Sequence, residues 1–161
     1  MTHKTFINIC LTLIALCWTM TIQAQTATVD GINYYLRSDK TATVTASTVT
    51  GDIVIPEKIT VDGVDYSVTS IGNEAFKDSK ALTSVAMPSV TSIGYCAFED
   101  CEALTSVDMP SVTSIDCGAF YQCNALTSVD MPSVTSISSD AFLSCASLTS
   151  VDMPLVTSIG N

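Results

Sequence analysis

A repeat of 22 residues limits this chain to very few folds. Leu82-Thr83-Ser84-Val85 recurs from Leu104, Leu126 and Leu148. Met87-Pro88 returns at Met109-Pro110, Met131-Pro132 and Met153-Pro154, and Ile71 at Ile93, Ile115, Ile137 and Ile159. Ala75-Phe76 keeps the same step through Ala97-Phe98, Ala119-Phe120 and Ala141-Phe142. Cys101, Cys123 and Cys145 form a further column, in which Ser79 holds the earlier place. One unit therefore reads L-T-S-V-x-M-P-S-V-T-S-I-x-x-x-A-F-x-x-C-x-A. Its apolar positions cannot be buried by one unit alone. Stacked coils can bury them, because each side chain then meets its counterpart about 4.7–4.9 Å away. Leu, Val and Met predict a first strand, Val90 and Ile93 a second extended stretch, and Ala97-Phe98-x-x-Cys101 a short helical turn. The phenylalanines become a continuous core spine, which leaves none of them for a ligand pocket.

The LxxVxMPxVxxIxxxAFxxC units between Leu82 and Cys145 resemble the BspA-type, or treponemal-type, leucine-rich repeat of bacterial surface proteins. One departure is the single residue between Pro88 and Val90, where two are commoner in that family. The resemblance implies a β-rich solenoid and a secreted or cell-surface protein. It also implies an adhesion-type role, with a protein or glycan of a host or neighbouring cell as partner. In such a repeat the residues flanking the inward Val face outward on the concave, ligand-binding side. These are Ser84, then Ser106 and Asp108, Ser128 and Asp130, and Ser150 and Asp152. Ala86 stands where the later units carry Asp. The alternative role is structural, with the repeats as spacer coils or a fragment of a larger surface protein.

Three regions are expected. Residues 1–24 have the plan of a secretory signal peptide: Lys4 as basic start, an apolar run from Phe6 to Met20, and small Ala24 before Gln25. The apolar run is short for a membrane span, which needs about 20 residues. No membrane insertion is expected after its removal. Residues 25–68 read as a β-hairpin cap with a degenerate first coil. Asp30-Gly31 and Asp62-Gly63 mark hairpin turns, Ser38-Asp39-Lys40 marks another turn, and Ile53-Val54-Ile55-Pro56 copies the Val-x-Met-Pro step. Residues 69–161 form the solenoid. It stops before the Ala-Phe turn of its last unit, which reads as truncation. An uncapped last coil exposes strand edges and apolar ends, so self-association through it is expected.

Composition then narrows the chemistry. The chain has 6 Lys and Arg against 16 Asp and Glu, a net charge of -10, and no Lys or Arg after Lys80. Such a surface does not suit nucleic acid, which requires clustered cations. The sole His is His3, inside the leader. Ser-His-Asp and Cys-His catalysis and His-bound metals are therefore excluded from the mature chain. No cofactor, metal or catalytic residue is expected. An Asp column could mimic a glycosidase carboxyl pair, about 5–9.5 Å apart, only within a cleft that nothing in the sequence implies. Five cysteines remain after residue 24. Cys101, Cys123 and Cys145 read as core thiols. Cys96 and Cys117 stand one position out of register on adjoining coils, at sites expected to face outward. They are the pair able to form a disulfide, and the odd count leaves at least one thiol unpaired or shared between chains.

Overall fold

A computed structural model describes residues 25–160. Residues 1–24, expected to be a signal peptide, lie outside the described residues. The chain enters as an antiparallel meander of β1 (Gln25–Val29), β2 (Ile32–Leu36) and β3 (Thr41–Thr45). Asp30 and Gly31 both take positive φ, 50° and 79°, the geometry of a type I′ hairpin turn. Alternation does the rest: Ile32, Tyr34, Leu36, Ala42 and Val44 face inward and are buried. Burial, helped by the charge on Asp30, pushes the Tyr34 phenol up to about 12.

The first, irregular coil follows. Its opening strand β4 (Gly51–Val54) leads into a hairpin of β5 (Lys58–Val61) and β6 (Val64–Ile71), turned at Asp62-Gly63 with φ of 51° and 76°. β3 pairs in parallel with β6, matching Val44 to Ile71, so the meander lies on the N-terminal side of the stacked coils. Gly72 closes this joint: a Cβ there would stand 2.7 Å from the Val44 carbonyl oxygen.

Each later coil contributes two short strands. The first set is β7 (Leu82–Ala86), β9 (Ser106–Asp108), β11 (Ser128–Asp130) and β13 (Ser150–Asp152). The second is β8 (Ser92–Ile93), β10 (Ser114–Ile115), β12 (Ser136–Ile137) and β14 (Ser158–Ile159). The second set pairs in parallel throughout with equivalent residues opposite, Ser92 to Ser114 to Ser136 to Ser158, and in the first set β7 pairs so with β9 and β11 with β13. The second set joins the N-terminal meander in one nine-stranded sheet, while β4, β7 and β9 make a three-stranded sheet and β11 and β13 a pair.

The expected helical turn is not a helix. Each Ala-Phe segment is a run of tight turns, and no helix occurs among the described residues. Two residues per coil, four apart, sit in the left-handed region: Glu74 and Asp78, Cys96 and Asp100, Gly118 and Gln122, Asp140 and Ser144. Those φ values interrupt helical propagation. In return, alternate backbone N–H groups point along the solenoid axis to the next coil. Phe76 donates to the Ala97 carbonyl at 2.8 Å, Phe98 to Ala119 at 2.7 Å and Phe120 to Ala141 at 2.8 Å. On the strands bonds run both ways: Thr113 N–H donates back to the Thr91 carbonyl at 2.8 Å, and Met87 N–H donates forward to the Asp108 carbonyl at 2.8 Å. Threonine hydroxyls reinforce this second ladder. Thr91, Thr113, Thr135 and Thr157 each donate to the carbonyl one coil earlier, at 3.1–3.2 Å. These columns are therefore part of the ladder and not merely solvated polarity.

Inside, the phenylalanine spine forms as its periodicity requires. Phe76, Phe98, Phe120 and Phe142 stack with ring centroids 5.3, 5.1 and 5.2 Å apart. The first three are fully buried and Phe142 partly so. Leu, Val, Met and Ile of the three units from Leu82 to Ile137 complete the core around them. In the last coil Val151, Met153, Leu155 and Ile159 are exposed.

Candidate functional site

The outward residues of the first strand set form the candidate surface. In β9 and β11 the burial alternates exposed, buried, exposed, so Val107 and Val129 point in while Ser106, Asp108, Ser128 and Asp130 point out. β7 follows the same alternation with half-buried Ser84 and Ala86 around buried Val85. Ser150 and Asp152 are exposed in β13, together with Val151. Parallel register brings these residues into columns. Ser84 lies opposite Ser106 and Ala86 opposite Asp108. Ser128 lies opposite Ser150 and Asp130 opposite Asp152. The seven expected residues thus fall on one face. Adjacent carboxylates one coil apart repel by about 1 kcal/mol in water, less in salt.

A further acid belongs to this face. Asp52 on β4 pairs with Ser84 in register, and its carboxylate accepts the hydroxyls of Thr83 and Ser84 at 2.7 Å each. Those two hydrogen bonds, Ser84 foremost, hold the Asp52 carboxyl below its usual range. The signal was present in the sequence. If Ile53-Val54-Ile55-Pro56 copies Val-x-Met-Pro, Asp52 must occupy the serine column. Beside it Val54 is 67% exposed, opposite Ala86. Asp52, Val54, Ser84, Ala86, Ser106 and Asp108 line a shallow depression of about 260 Å³. The strip therefore changes character along the axis, from an apolar foothold at Val54 and Ala86 to carboxylates at Asp108, Asp130 and Asp152.

Among the described residues no salt bridge reaches the strip. Three of the lysines are engaged elsewhere, Lys58 with Asp65, Lys77 with Glu99 and Lys80 with Glu102, at 2.8–2.9 Å. A second groove, of about 330 Å³, runs across the other strand set. Ser70, Ser92, Ser114 and Ser136 line it between Arg37 and Asp116. Its hydroxyl column went unremarked in the sequence because Thr-Ser-Ile reads there simply as a strand.

The two cysteines singled out by register are neighbours through their backbones. Cys96 N–H donates to the Cys117 carbonyl at 3.0 Å, and both line a depression of about 370 Å³ on the turn side of the coils. The outward orientation expected of Cys96 is corrected: it is buried at 6% exposure, with Cys117 half-buried. Cys96 takes a left-handed φ of 50°, which tucks its side chain toward the next coil, where Gly118 leaves room.

The family model for the BspA type leucine rich repeat region matches residues 53–161 in six copies. No curated protein matches the sequence. Among solved structures, a leucine-rich repeat protein from Bacteroides capillosus ATCC 29799 is 32% identical with a TM-score of 0.73, and the match covers 80% of this chain and 97% of that one. The T. pallidum leucine rich repeat protein is 30% identical with a TM-score of 0.75, over 85% of this chain and 65% of that one. A leucine rich cell surface protein from Faecalibacterium prausnitzii A2-165 is 29% identical with a TM-score of 0.59, over 85% of this chain and 51% of that one.

Proposed function

Because the chain belongs to the BspA-type leucine-rich repeat family, we propose that it is a secreted or cell-surface binding module without catalytic activity, which holds a cationic protein surface against its acidic strip. One observation carries the reading: Ser106/Asp108, Ser128/Asp130 and Ser150/Asp152 present the same exposed hydroxyl–carboxylate pair at successive coils. A regular column of this kind suits a partner that offers spaced Lys or Arg, with an apolar side chain resting near Val54. Charged groups at such a rim act mainly on encounter rate and specificity. The name of the Faecalibacterium relative, a cell surface protein, supports the location.

The test is a binding screen of the purified chain against matrix proteins, mucins and glycans, beside an Asp108/Asp130/Asp152→Asn variant. Each exposed charge contributes on the order of 0.2–1 kcal/mol, so the triple variant should bind a basic protein roughly tenfold more weakly. Equal binding by the two proteins would end the acidic-strip reading. Saturable binding of a neutral glycan, insensitive to the variant, would move the partner class from protein to glycan. Absence of binding by the folded chain would favour spacer coils.

A further inference from the structure

All five cysteines among the described residues are thiols in this structure, and the fold sorts them into two sets. Cys101, Cys123 and Cys145 follow the core column. Each donates its S–H to the carbonyl of a phenylalanine in the preceding coil: Phe76 at 3.2 Å, Phe98 at 3.2 Å and Phe120 at 3.1 Å. Ser79 continues the column with a hydroxyl aimed at the Ser47 carbonyl. Equivalent side chains of parallel coils stay one coil rise apart, about 4.8 Å. That exceeds the Cβ separation of about 3.5–4.5 Å that a disulfide takes. Burial also raises the Cys101 thiol to about 12 and Cys123 further, so the reactive thiolate is scarce there.

Cys96 and Cys117 differ in place and register, although burial, and then the Glu99 carboxylate, also raises the Cys96 thiol. They are out of register by one residue, so neither stacks directly on its counterpart, and the turn geometry sets which way each side chain leans. Their backbones are joined by the 3.0 Å hydrogen bond. The position stacked on Cys96 is Gly118, and a Cβ at that glycine would meet the Cys96 sulfur at 3.0 Å. The Cys96 sulfur thus points at the next coil, into room that glycine leaves beside Cys117. Both thiols also border one open depression, between Tyr95 and Tyr121, through which a small oxidant has access.

We propose that Cys96 and Cys117 close into a disulfide that fastens the coil of residues 82–103 to the coil of residues 104–125, while the three core thiols stay reduced. A small-molecule disulfide is the oxidant. The half-buried Cys117 thiolate attacks one of its sulfurs, the oxidant's S–S bond breaks, and one thiolate leaves and takes up a proton. Cys96 then gives its proton to water and attacks the Cys117 sulfur of the mixed disulfide, expelling the second small thiolate. Two protein thiols are oxidised and one small disulfide is reduced to two thiols. The inference does not depend on the binding role proposed above.

The experiment incubates the purified chain with oxidised glutathione, blocks the remaining thiols with maleimide in denaturant, and maps the peptides without reduction. No Lys or Arg follows Lys80, so cleavage after glutamate is used. Cuts at Glu99 and Glu102 leave Cys96, Cys101 and Cys117 on three separate peptides. The expected result is a crosslink between the Cys96 and Cys117 peptides with two thiols fewer blocked. It should vanish in Cys117→Ser and persist in Cys123→Ser, with far-ultraviolet circular dichroism unchanged in both. The inference is overturned by an unchanged thiol count in the folded protein, by a crosslink lost in Cys123→Ser, or by covalent dimers in place of the internal bond.

Discussion

Phe98→Ala should cut the solenoid's cooperativity as well as its stability. Phe98 is fully buried and stacked on both sides, on Phe76 at 5.3 Å and Phe120 at 5.1 Å. Phe→Ala in a packed core costs about 3–5 kcal/mol, and each aromatic pair adds about 0.5–1.5 kcal/mol beyond its buried area. The substitution removes both pairs, so a loss near the upper end, about 5 kcal/mol, is expected. Domains of this size are stable by about 5–15 kcal/mol, which makes that a third or more of the total. Phe142 supplies the internal control. It is partly buried and has one stacking partner among the described residues, Phe120 at 5.2 Å, so Phe142→Ala should cost about 2–3 kcal/mol less than Phe98→Ala. Urea unfolding followed by far-ultraviolet circular dichroism reads both. Because coils interact only with their neighbours, the Phe98 lesion should also split or broaden the transition and lower its m-value, while the Phe142 lesion shifts the midpoint alone. Equal losses in the two variants, or a single sharp transition of unchanged slope in Phe98→Ala, would refute the argument that the spine couples the coils.

Other outcomes can be checked alongside. Gly118→Ala places a Cβ at a φ of 63° and 3.0 Å from the Cys96 sulfur; it should destabilise by about 1–2 kcal/mol and slow disulfide closure, as thermal melts and the peptide map would show. Cys101 is raised to about 12 and Cys123 also lies above its usual range. Both keep their protons when folded and lose them when unfolded, so their contribution is complete below about pH 8.5–9. It is lost as pH climbs toward 12, by about 1.4 kcal/mol per pH unit for each thiol. Urea midpoints of the reduced protein should fall through that window, and less so in Cys123→Ala. Any basic partner captured by the acidic strip should bind more weakly from 0.1 to 1 M salt, where screening shortens from about 10 Å to about 3 Å; a salt-independent affinity would count against carboxylate contacts.

The periodicity made the coils legible: Leu82, Leu104, Leu126 and Leu148 fixed the pitch, and the Asp-Gly pairs at Asp30 and Asp62 fixed two hairpins. The outward position of Ser106 and Asp108 followed from inward Val107. The turn segment was the error. Ala97-Phe98-x-x-Cys101 has helical spacing, yet Cys96 and Asp100 adopt positive φ. Those values become worthwhile because the neighbouring coil accepts the freed N–H groups, an interaction that no local window contains. Asp52 was legible through the Ile53-Val54-Ile55-Pro56 step but was passed over, because a hairpin interrupts its coil and the pairing of β4 with β7 makes its column plain. Register singled out Cys96 and Cys117, but the burial of Cys96 and the room over Gly118 were not legible in the spacing.

The opposed hydrogen-bond ladders also define how the molecule responds to load. Backbone bonds between coils run along the axis, forward on the turn side and in both directions on the strands, so traction on the two ends strains them together and a coil yields as one unit. Each coil occupies about 4.8 Å of axis but holds 22 residues, roughly 75 Å of contour when drawn out. Under force the chain should lengthen in equal steps of about 70 Å, one for each coil released. A link between Cys96 and Cys117 would withhold the contour between them, deleting close to one step from the series.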